Sequence, residues 1–311
     1  MIRFTIIIPH KNIPDLLQRM LNSIPKRNDV QVIVVDDNSD PSIVDFEHFP
    51  GLNNPNTEVY FTKEGRGAGY ARNVGLKYAK GEWLLFADAD DMYVTENFNY
   101  FLNLSFPNDT EVIIWGYIRL LLNGEEIRNY ASSDSKLFVE DIPEHLYSGF
   151  WCVPWLKMVR KDIIYSNKIN FEDVHYSNDV RFAVELAIKA KHIYAYNQLL
   201  YMQIERKNSL VTSRTIHNSI CRLNVSLMAN KLLIKQNMKP IRIYRWLNDI
   251  AQYSYWYFLL YTIKSIVVVG YNNVIIDYKE VCNTNCFSVN ILKHIFNILR
   301  VKISLKSRIL K

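Results

Sequence analysis

Three carboxylates fall within four residues in Asp88-Ala89-Asp90-Asp91, directly after the apolar run Trp83 to Phe86. Packing gives no reason for such crowding, since like charges raise one another's pKa, and a bound cation is the usual remedy. Hard divalent ions such as Mg²⁺ or Mn²⁺ take oxygen ligands and keep waters or substrate phosphates in the rest of the shell. A solvated acidic turn would carry the same letters. A second polar cluster, Asp36-Asp37-Asn38-Ser39-Asp40, follows the run Val30 to Val35. Its carboxylates could accept from a nucleobase N–H or a ribose hydroxyl, or could bond their own backbone in a turn. A third segment, Gly65-Arg66-Gly67-Ala68-Gly69, leads into Tyr70-Ala71-Arg72-Asn73-Val74-Gly75. It combines glycines that permit close backbone approach with arginines that can hold phosphate or a base; a flexible loop has a similar composition.

The elements that must hold these clusters are short. Phe4 to Ile8, Val30 to Val35, Val59 to Phe61 and Trp83 to Phe86 read as buried strands. Between the first two, Leu16, Leu17, Met20, Leu21 and Ile24 recur on one helical face, with Pro14 in the first turn. Between the third and fourth, Ala71, Val74, Tyr78 and Ala79 recur in the same way, and Gly81 reads as the helix stop. Strands alternating with helices imply a mostly parallel sheet whose ligand site lies beyond the carboxyl ends of its strands, where the polar clusters fall. Further on, Val112 to Tyr117 and Ile127 to Tyr130 flank Asn123-Gly124, a hairpin pattern. From about Ser213 to Lys264 helical periodicity dominates, with Ile216, Ile220, Leu223 and Leu227 as one stripe. The apolar run Trp256 to Val269 is too short for a bilayer span and is broken by Lys264, so it reads as a buried helix. The boundary falls near residue 210, dividing residues 1–210 from a helical region at 211–311.

Composition narrows the classes. With 49% hydrophobic and 22% charged residues the chain is an ordinary globular one. Cys152, Cys221, Cys282 and Cys286 are too few and too scattered for a disulfide framework, and the CxxxC pair lacks a second pair for zinc. The start has no apolar stretch followed by small residues, which points to synthesis and residence in the cytoplasm. The formal net charge of +6 is matched by Lys293, Arg300, Lys302, Lys306, Arg308 and Lys311, with no acid among the last 19 residues. The remainder is neutral, so nucleic acid is not an expected partner, while the tail could rest on an anionic membrane face or stand in solvent.

In order and spacing these segments resemble the family 2 glycosyltransferases of bacterial polysaccharide type. The resemblance runs through Ile6-Ile7-Ile8-Pro9 with Lys11-Asn12, Val35-Asp36-Asp37-Asn38-Ser39, Ala71-Arg72-Asn73-Val74-Gly75 and Asp88-Ala89-Asp90-Asp91. It continues through Val153-Pro154-Trp155-Leu156-Lys157, Ile169-Asn170-Phe171-Glu172, Asn178-Asp179-Val180-Arg181-Phe182, and Arg206 with Ser209. It implies an α/β fold of the GT-A type, a nucleotide-binding sandwich with a mixed, mostly parallel sheet. It also implies a nucleotide-diphosphate sugar donor, UDP-sugar favoured, and a hydroxyl of a glycan or lipid-linked saccharide as acceptor, with inversion at the anomeric carbon. By matching position, Pro9, Asp37, Arg72 and Asp88 would bind the nucleotide sugar, Asp90 would hold Mn²⁺ or Mg²⁺, and Asp179 would be the base. Trp155 and Lys157 would border the acceptor. Asn178 occupies a position where the family carries Glu, and His10 one where it carries a small or aromatic residue; Glu172 and Asp173 are the carboxylates nearest to Asp179.

Two other readings compete. A sugar nucleotidyltransferase would place a Gly-rich loop after the first strand, where Pro9-His10-Lys11-Asn12 has no glycine. An inactive homologue scaffolding a membrane assembly would bind no donor productively. A dehydrogenase is disfavoured, since the glycines follow the third strand and lack dinucleotide spacing.

Overall fold

The computed structural model describes residues 1–131, 152–206 and 215–269. The strands β1 (Phe4–His10), β2 (Val30–Asp37), β3 (Thr57–Thr62) and β4 (Trp83–Phe86) carry the runs read as strands, with α1 (Pro14–Ser23) and α2 (Ala68–Tyr78) between them. Next come β5 (Met92–Tyr93), α3 (Thr95–Leu102), and the hairpin of β6 (Val112–Leu120) with β7 (Glu126–Asn129). A 3₁₀ turn at Pro154–Leu156 leads into β8 (Lys157–Arg160), followed by α4 (Lys161–Ser166), α5 (Val180–Lys189) and β9 (Ile193–Ile204). Helices α6 (Ile216–Lys235), α7 (Tyr244–Tyr253) and α8 (Tyr255–Val269) complete the described chain.

The strand order is β3-β2-β1-β4-β8-β6-β9-β5, with β7 added to β6. β3, β2, β1 and β4 are mutually parallel; β8 runs antiparallel to both β4 and β6, and β9 returns parallel to β6. Strand alternation sorts the core into two layers. Phe4, Ile6, Ile8, Val32, Val34 and Leu85 face α1 and α3, whose Leu17, Met20, Leu21, Phe98 and Phe101 cover them. Ile7, Ile33, Val35, Leu84, Phe86 and Ile114 face the opposite way and are covered by α2, α4 and α5. The result is a sandwich with the sheet as its middle layer.

α2 with its C-cap buries Ala71 and Ala79 as the spacing implies and packs Val74 partly against the same core, but Tyr78 is not part of that face. Its buried residues are Gly69, Ala71, Arg72, Gly75 and Leu76, while Val74 is half-buried and Tyr78 is exposed, stacking on Tyr60. A Cβ at Gly75 would lie 2.5 Å from Ile7 Cγ2, so the bare glycine lets the helix sit close to β1. Gly81 is likewise not the helix stop, since Ala79 is the C-cap residue. A Cβ at Gly81 would fall 2.6 Å from the backbone of Phe4 and Thr5, so this glycine serves the crossing over β1.

By contact, the chain divides into two compact units: Met1–Ser213 with Met228–Ile241, and Arg214–Leu227 with Arg242–Lys311. In the second unit, Leu223, Leu227, Ile243, Leu247, Ile250 and Phe258 form a separate apolar cluster. α8 is not the fully buried helix expected: Phe258, Thr262 and Ser265 are buried, whereas Trp256, Leu260, Ile263 and Val267 are exposed. No helix among the described residues is long and apolar enough to cross a membrane. The basic tail, Cys282, Cys286 and Ser209 lie outside the described residues.

Candidate active site

The polar clusters meet at the carboxyl ends of β1, β2 and β4, where parallel strands end and connections diverge. Pro9 and His10 close β1 and are both buried. His10 Nδ1 lies 2.7 Å from Asp36 Oδ1, and Nε2 accepts from the Ile13 N–H at 3.1 Å. Accepting at Nε2 fixes the proton on Nδ1, so the ring donates to Asp36. The His10 and Ser39 hydrogen bonds hold the Asp36 carboxyl below its ordinary range against the opposing effect of burial. Sequence reasoning had found no task for His10; the structure makes it the brace between two strand ends.

Asp37 is buried and anchors the Gly-rich segment. Its Oδ1 accepts from the Arg66 N–H at 3.0 Å and its Oδ2 from the Gly67 N–H at 2.7 Å, with Lys11 Nζ 3.7 Å away. Gly65 and Gly67 both have positive φ, the left-handed region that glycine enters without steric cost. The third glycine approaches protein and not phosphate: a Cβ on Gly69 would stand 2.2 Å from the Glu172 carbonyl oxygen and 2.8 Å from Asn178 Cβ. Gly69 thereby lets the first turn of α2 touch the 172–178 loop.

That contact brings Arg72 to the centre of the site. Its guanidinium donates to Asn178 Oδ1 at 2.9 Å and to Asp88 Oδ1 at 2.6 Å, and it lies over the Phe171 ring. Asn178, neutral where the family carries Glu, is therefore an acceptor for Arg72. The loop is closed by the Glu172 N–H donating to the Asn178 carbonyl at 3.0 Å and by Ser177 at φ 58°. Asp179 follows at the start of α5 and makes no side-chain capping bond. Burial pushes its carboxyl above the ordinary range, opposed by Arg72, by backbone N–H groups and by Lys157. Of its rivals, Asp173 pairs with Arg66, whereas Glu172, on the rim of a cleft with Lys168 and Glu185, lies 3.9 Å from Arg181, has a buried Oε2 without a hydrogen-bond partner, and is raised above the ordinary range chiefly by burial.

The three carboxylates after β4 prove to have distinct surroundings. Asp88 is held by Arg72. Asp90 Oδ2 meets Arg206 Nε at 2.5 Å, and its backbone carbonyl accepts from Arg19. Asp91 is buried, accepts from the Ile204 N–H at 2.8 Å, and is raised well above the ordinary range by burial and by its neighbours Asp88 and Asp90. Protein partners thus account for much of the crowding that looked inexplicable by packing, and no cluster of three metal-type side chains occurs among the described residues. Sequence reasoning missed Arg19, which reaches the loop from α1 across 71 positions; helical spacing alone gave no sign of it.

Trp155 and Lys157 are not placed at an acceptor surface. Trp155 is buried, stacked on Tyr201 and edge-on to Tyr117. Lys157 is 0% exposed, with Nζ donating to the Val153 carbonyl. Trp155 sits in the 3₁₀ turn and Lys157 begins β8, a strand enclosed between β4 and β6, and both side chains are buried.

Residues 5–142 match the model of glycosyl transferase family 2. Among its relatives, poly(ribitol-phosphate) beta-N-acetylglucosaminyltransferase TarP of Staphylococcus aureus is 26% identical over 201 residues, 61% of this chain and 59% of TarP. The chain also superposes on S. aureus TarS 1–349 in complex with UDP-GlcNAc, with TM-score 0.62 and 21% identity, covering 85% of this chain and 73% of that one. Mannosyltransferase PcManGT from Pyrobaculum calidifontis, in complex with GDP-Man and Mn²⁺, gives TM-score 0.52 at 13% identity, covering 97% and 80%. These likenesses show the GT-A type of fold. The chain spans between 17% and 59% of the length of the first three curated relatives it matches.

Proposed function

We propose that the chain transfers a sugar from a UDP-sugar to a hydroxyl of a glycan, lipid-linked or polyol-phosphate acceptor, inverting the anomeric centre. One observation carries this reading: a half-buried carboxyl, Asp179, raised above its ordinary range, stands beside the Arg72–Asp88 pair at the strand ends of a family 2 sandwich. The acceptor class draws on TarP, whose name states transfer to poly(ribitol-phosphate), and the donor on the UDP-GlcNAc bound to TarS.

In this mechanism Asp179 takes the proton of the acceptor hydroxyl as its oxygen attacks the anomeric carbon. The bond from that carbon to the diphosphate oxygen breaks on the opposite side, its electron pair leaving with the diphosphate, so a single displacement inverts the centre. Asp37, Arg72, Asp88 and Pro9 line the donor side, and burial raises the Asp88 carboxyl above its ordinary range, opposed by the charge and hydrogen bond of Arg72 and reinforced by Asp90. Asp90 fits a divalent cation. It is one of the two partly exposed carboxylates of the cluster, its backbone is pinned by Arg19, and ions of the Mg²⁺ or Mn²⁺ type bind through one or two carboxylates and complete their shell with diphosphate and water. Such an ion would neutralise charge on the departing diphosphate.

We place residues 1–210 as the transferase domain and 211–311 as a helical region with a basic tail, acting in the cytoplasm or on the inner membrane face. The reading is tested by incubating the chain with UDP-GlcNAc and poly(ribitol-phosphate) and determining the anomeric configuration of the product by NMR. A β-linked product from the α-linked donor is expected. Retention would overturn the single displacement, and donor hydrolysis or transfer absent across a panel of UDP-sugars would favour a scaffold.

A further inference from the structure

Helix α8 turns large apolar side chains outward. Trp256, Leu260, Ile263 and Val267 recur at intervals of four, three and four residues, which sets them in one stripe along the helix. They are 76%, 58%, 41% and 79% exposed. The inner face carries Phe258, Thr262 and Ser265, all buried, with Ser265 Oγ donating to the Tyr261 carbonyl at 2.6 Å. A helix bordered by water has the opposite arrangement, apolar within and polar without. The four outer side chains together expose on the order of 500 Å² of apolar surface, a patch of the size that serves protein or membrane contact.

The chemistry around the stripe selects its occupant. Between Asp249 and Asp277 the chain carries no acid and one base, Lys264, a helical neighbour of Leu260 and Val267. Lys264 is exposed, donates from Nζ to Asn224 Oδ1 at 2.8 Å and lies over the Tyr261 ring. Tyr257 is exposed beside Trp256. Trp and Tyr settle at the boundary between headgroups and acyl chains, and a lysine beside them keeps its ammonium among the headgroups. The 15 residues of α8 rise about 22 Å, short of the roughly 30 Å hydrocarbon core, so the helix can lie in that boundary without crossing. A second copy of the chain is a poorer match, since a standard interface buries about 800 Å² on each partner, more than the stripe offers. The sequence of the same unit continues into Lys293 to Lys311, which carries six bases and no acid and so complements an anionic surface.

We propose that the outer stripe of α8 docks on an anionic lipid surface, with Trp256, Leu260, Ile263 and Val267 entering the headgroup boundary and the helix axis parallel to it. This rests on the placement of the chain at the inner membrane face and gives that placement a second element besides the basic tail. The two respond differently to salt, which screens the attraction of the tail but not the burial of the stripe.

The test is co-sedimentation of the full chain with vesicles of phosphatidylglycerol and phosphatidylcholine at about 0.15 M and about 1 M salt, where the Debye length falls from about 8 Å to about 3 Å. Leu260→Gln combined with Val267→Gln should keep the wild-type melting temperature and bind about tenfold or more weakly at both salts, because two aliphatic side chains leave the contact. Ile127→Gln, at an exposed position on β7, should bind as wild type does. Lipids with brominated chains should quench the fluorescence of wild type more than that of Trp256→Phe. Wild-type affinity in the double variant, or equal quenching in Trp256→Phe, overturns the proposal. So does a wild-type dimer that the double variant converts to monomer, since a second copy then covers the stripe. Stronger vesicle binding by the double variant, as release of a covering tail would give, overturns it too. A wild-type chain that binds no vesicle at either salt removes the inner-face placement and the proposal with it, an outcome distinct from binding that is indifferent to the stripe.

Discussion

At the residue scale, two carboxylates are given opposite tasks by their surroundings. Asp179 is raised by burial, so the acid limb of kcat/KM is expected above the ordinary Asp value of 3.8, with activity lost as pH falls and the base takes up its proton. The sign for stability is the reverse. A carboxyl whose folded-state pKa is raised favours the fold at low pH, and this contribution is lost as pH climbs through the folded value. Asp179→Asn, which removes the base at nearly constant volume, should bind UDP normally and transfer at least about a hundredfold more slowly, within the range of general-base catalysis. Single-turnover assays beside calorimetry separate the two, and near wild-type transfer would reassign the base to Glu172. Asp90 is paired to Arg206 and partly exposed, so Asp90→Asn should leave the melting temperature nearly unchanged while losing transfer and metal-strengthened diphosphate affinity. A chelator should abolish wild-type transfer and Mn²⁺ or Mg²⁺ restore it; full rates in chelator would remove the ion from the mechanism.

At the element scale, the site depends on how closely α2 can approach its neighbours. Gly69 and Gly75 lie on its inner side, six residues apart and with different obstacles. A methyl group at Gly75 would press on Ile7 Cγ2, the end of a side chain, whereas one at Gly69 would press on the Glu172 backbone carbonyl. Both alanine variants should lose stability, about 1–3 kcal/mol for overpacking. Gly69→Ala should also lose transfer, because shifting the 172–178 loop moves Asn178 from Arg72 and Asp179 from the acceptor. Gly75→Ala should keep transfer once assayed below its melting temperature. Equal activity in the two would show that the α2 contact with the 172–178 loop does not position the base. Apolar spacing marked Ala71, Val74, Tyr78 and Ala79, of which Ala71 and Ala79 are buried and Tyr78 is exposed; it gave no sign of Arg72, whose burial goes with its polar partners Asn178 and Asp88.

At the scale of the whole molecule, the described chain combines a strand-rich unit with one built largely from α6 to α8, and ends before the basic segment from Lys293 to Lys311. Each basic residue near an anionic surface contributes about 1 kcal/mol at low salt. Full-length protein should therefore float with anionic vesicles more than a truncation after Tyr278, and the difference should shrink as salt rises; equal flotation at low salt would end the membrane assignment. The sequence by itself determined the four parallel strands, the hairpin at Asn123-Gly124 and the position of the polar clusters at strand ends, because apolar period and turn residues are local properties. The family could be read from motif order for the same reason. It did not determine partners. That His10 braces Asp36, that Arg72 joins Asn178 to Asp88, that Arg19 pins Asp90, and that Trp155 and Lys157 are interior were decided by segments far apart in the chain. A motif fixes which groups are available near a strand end, while burial and close approach between elements fix which of them face each other and how strongly they hold their protons.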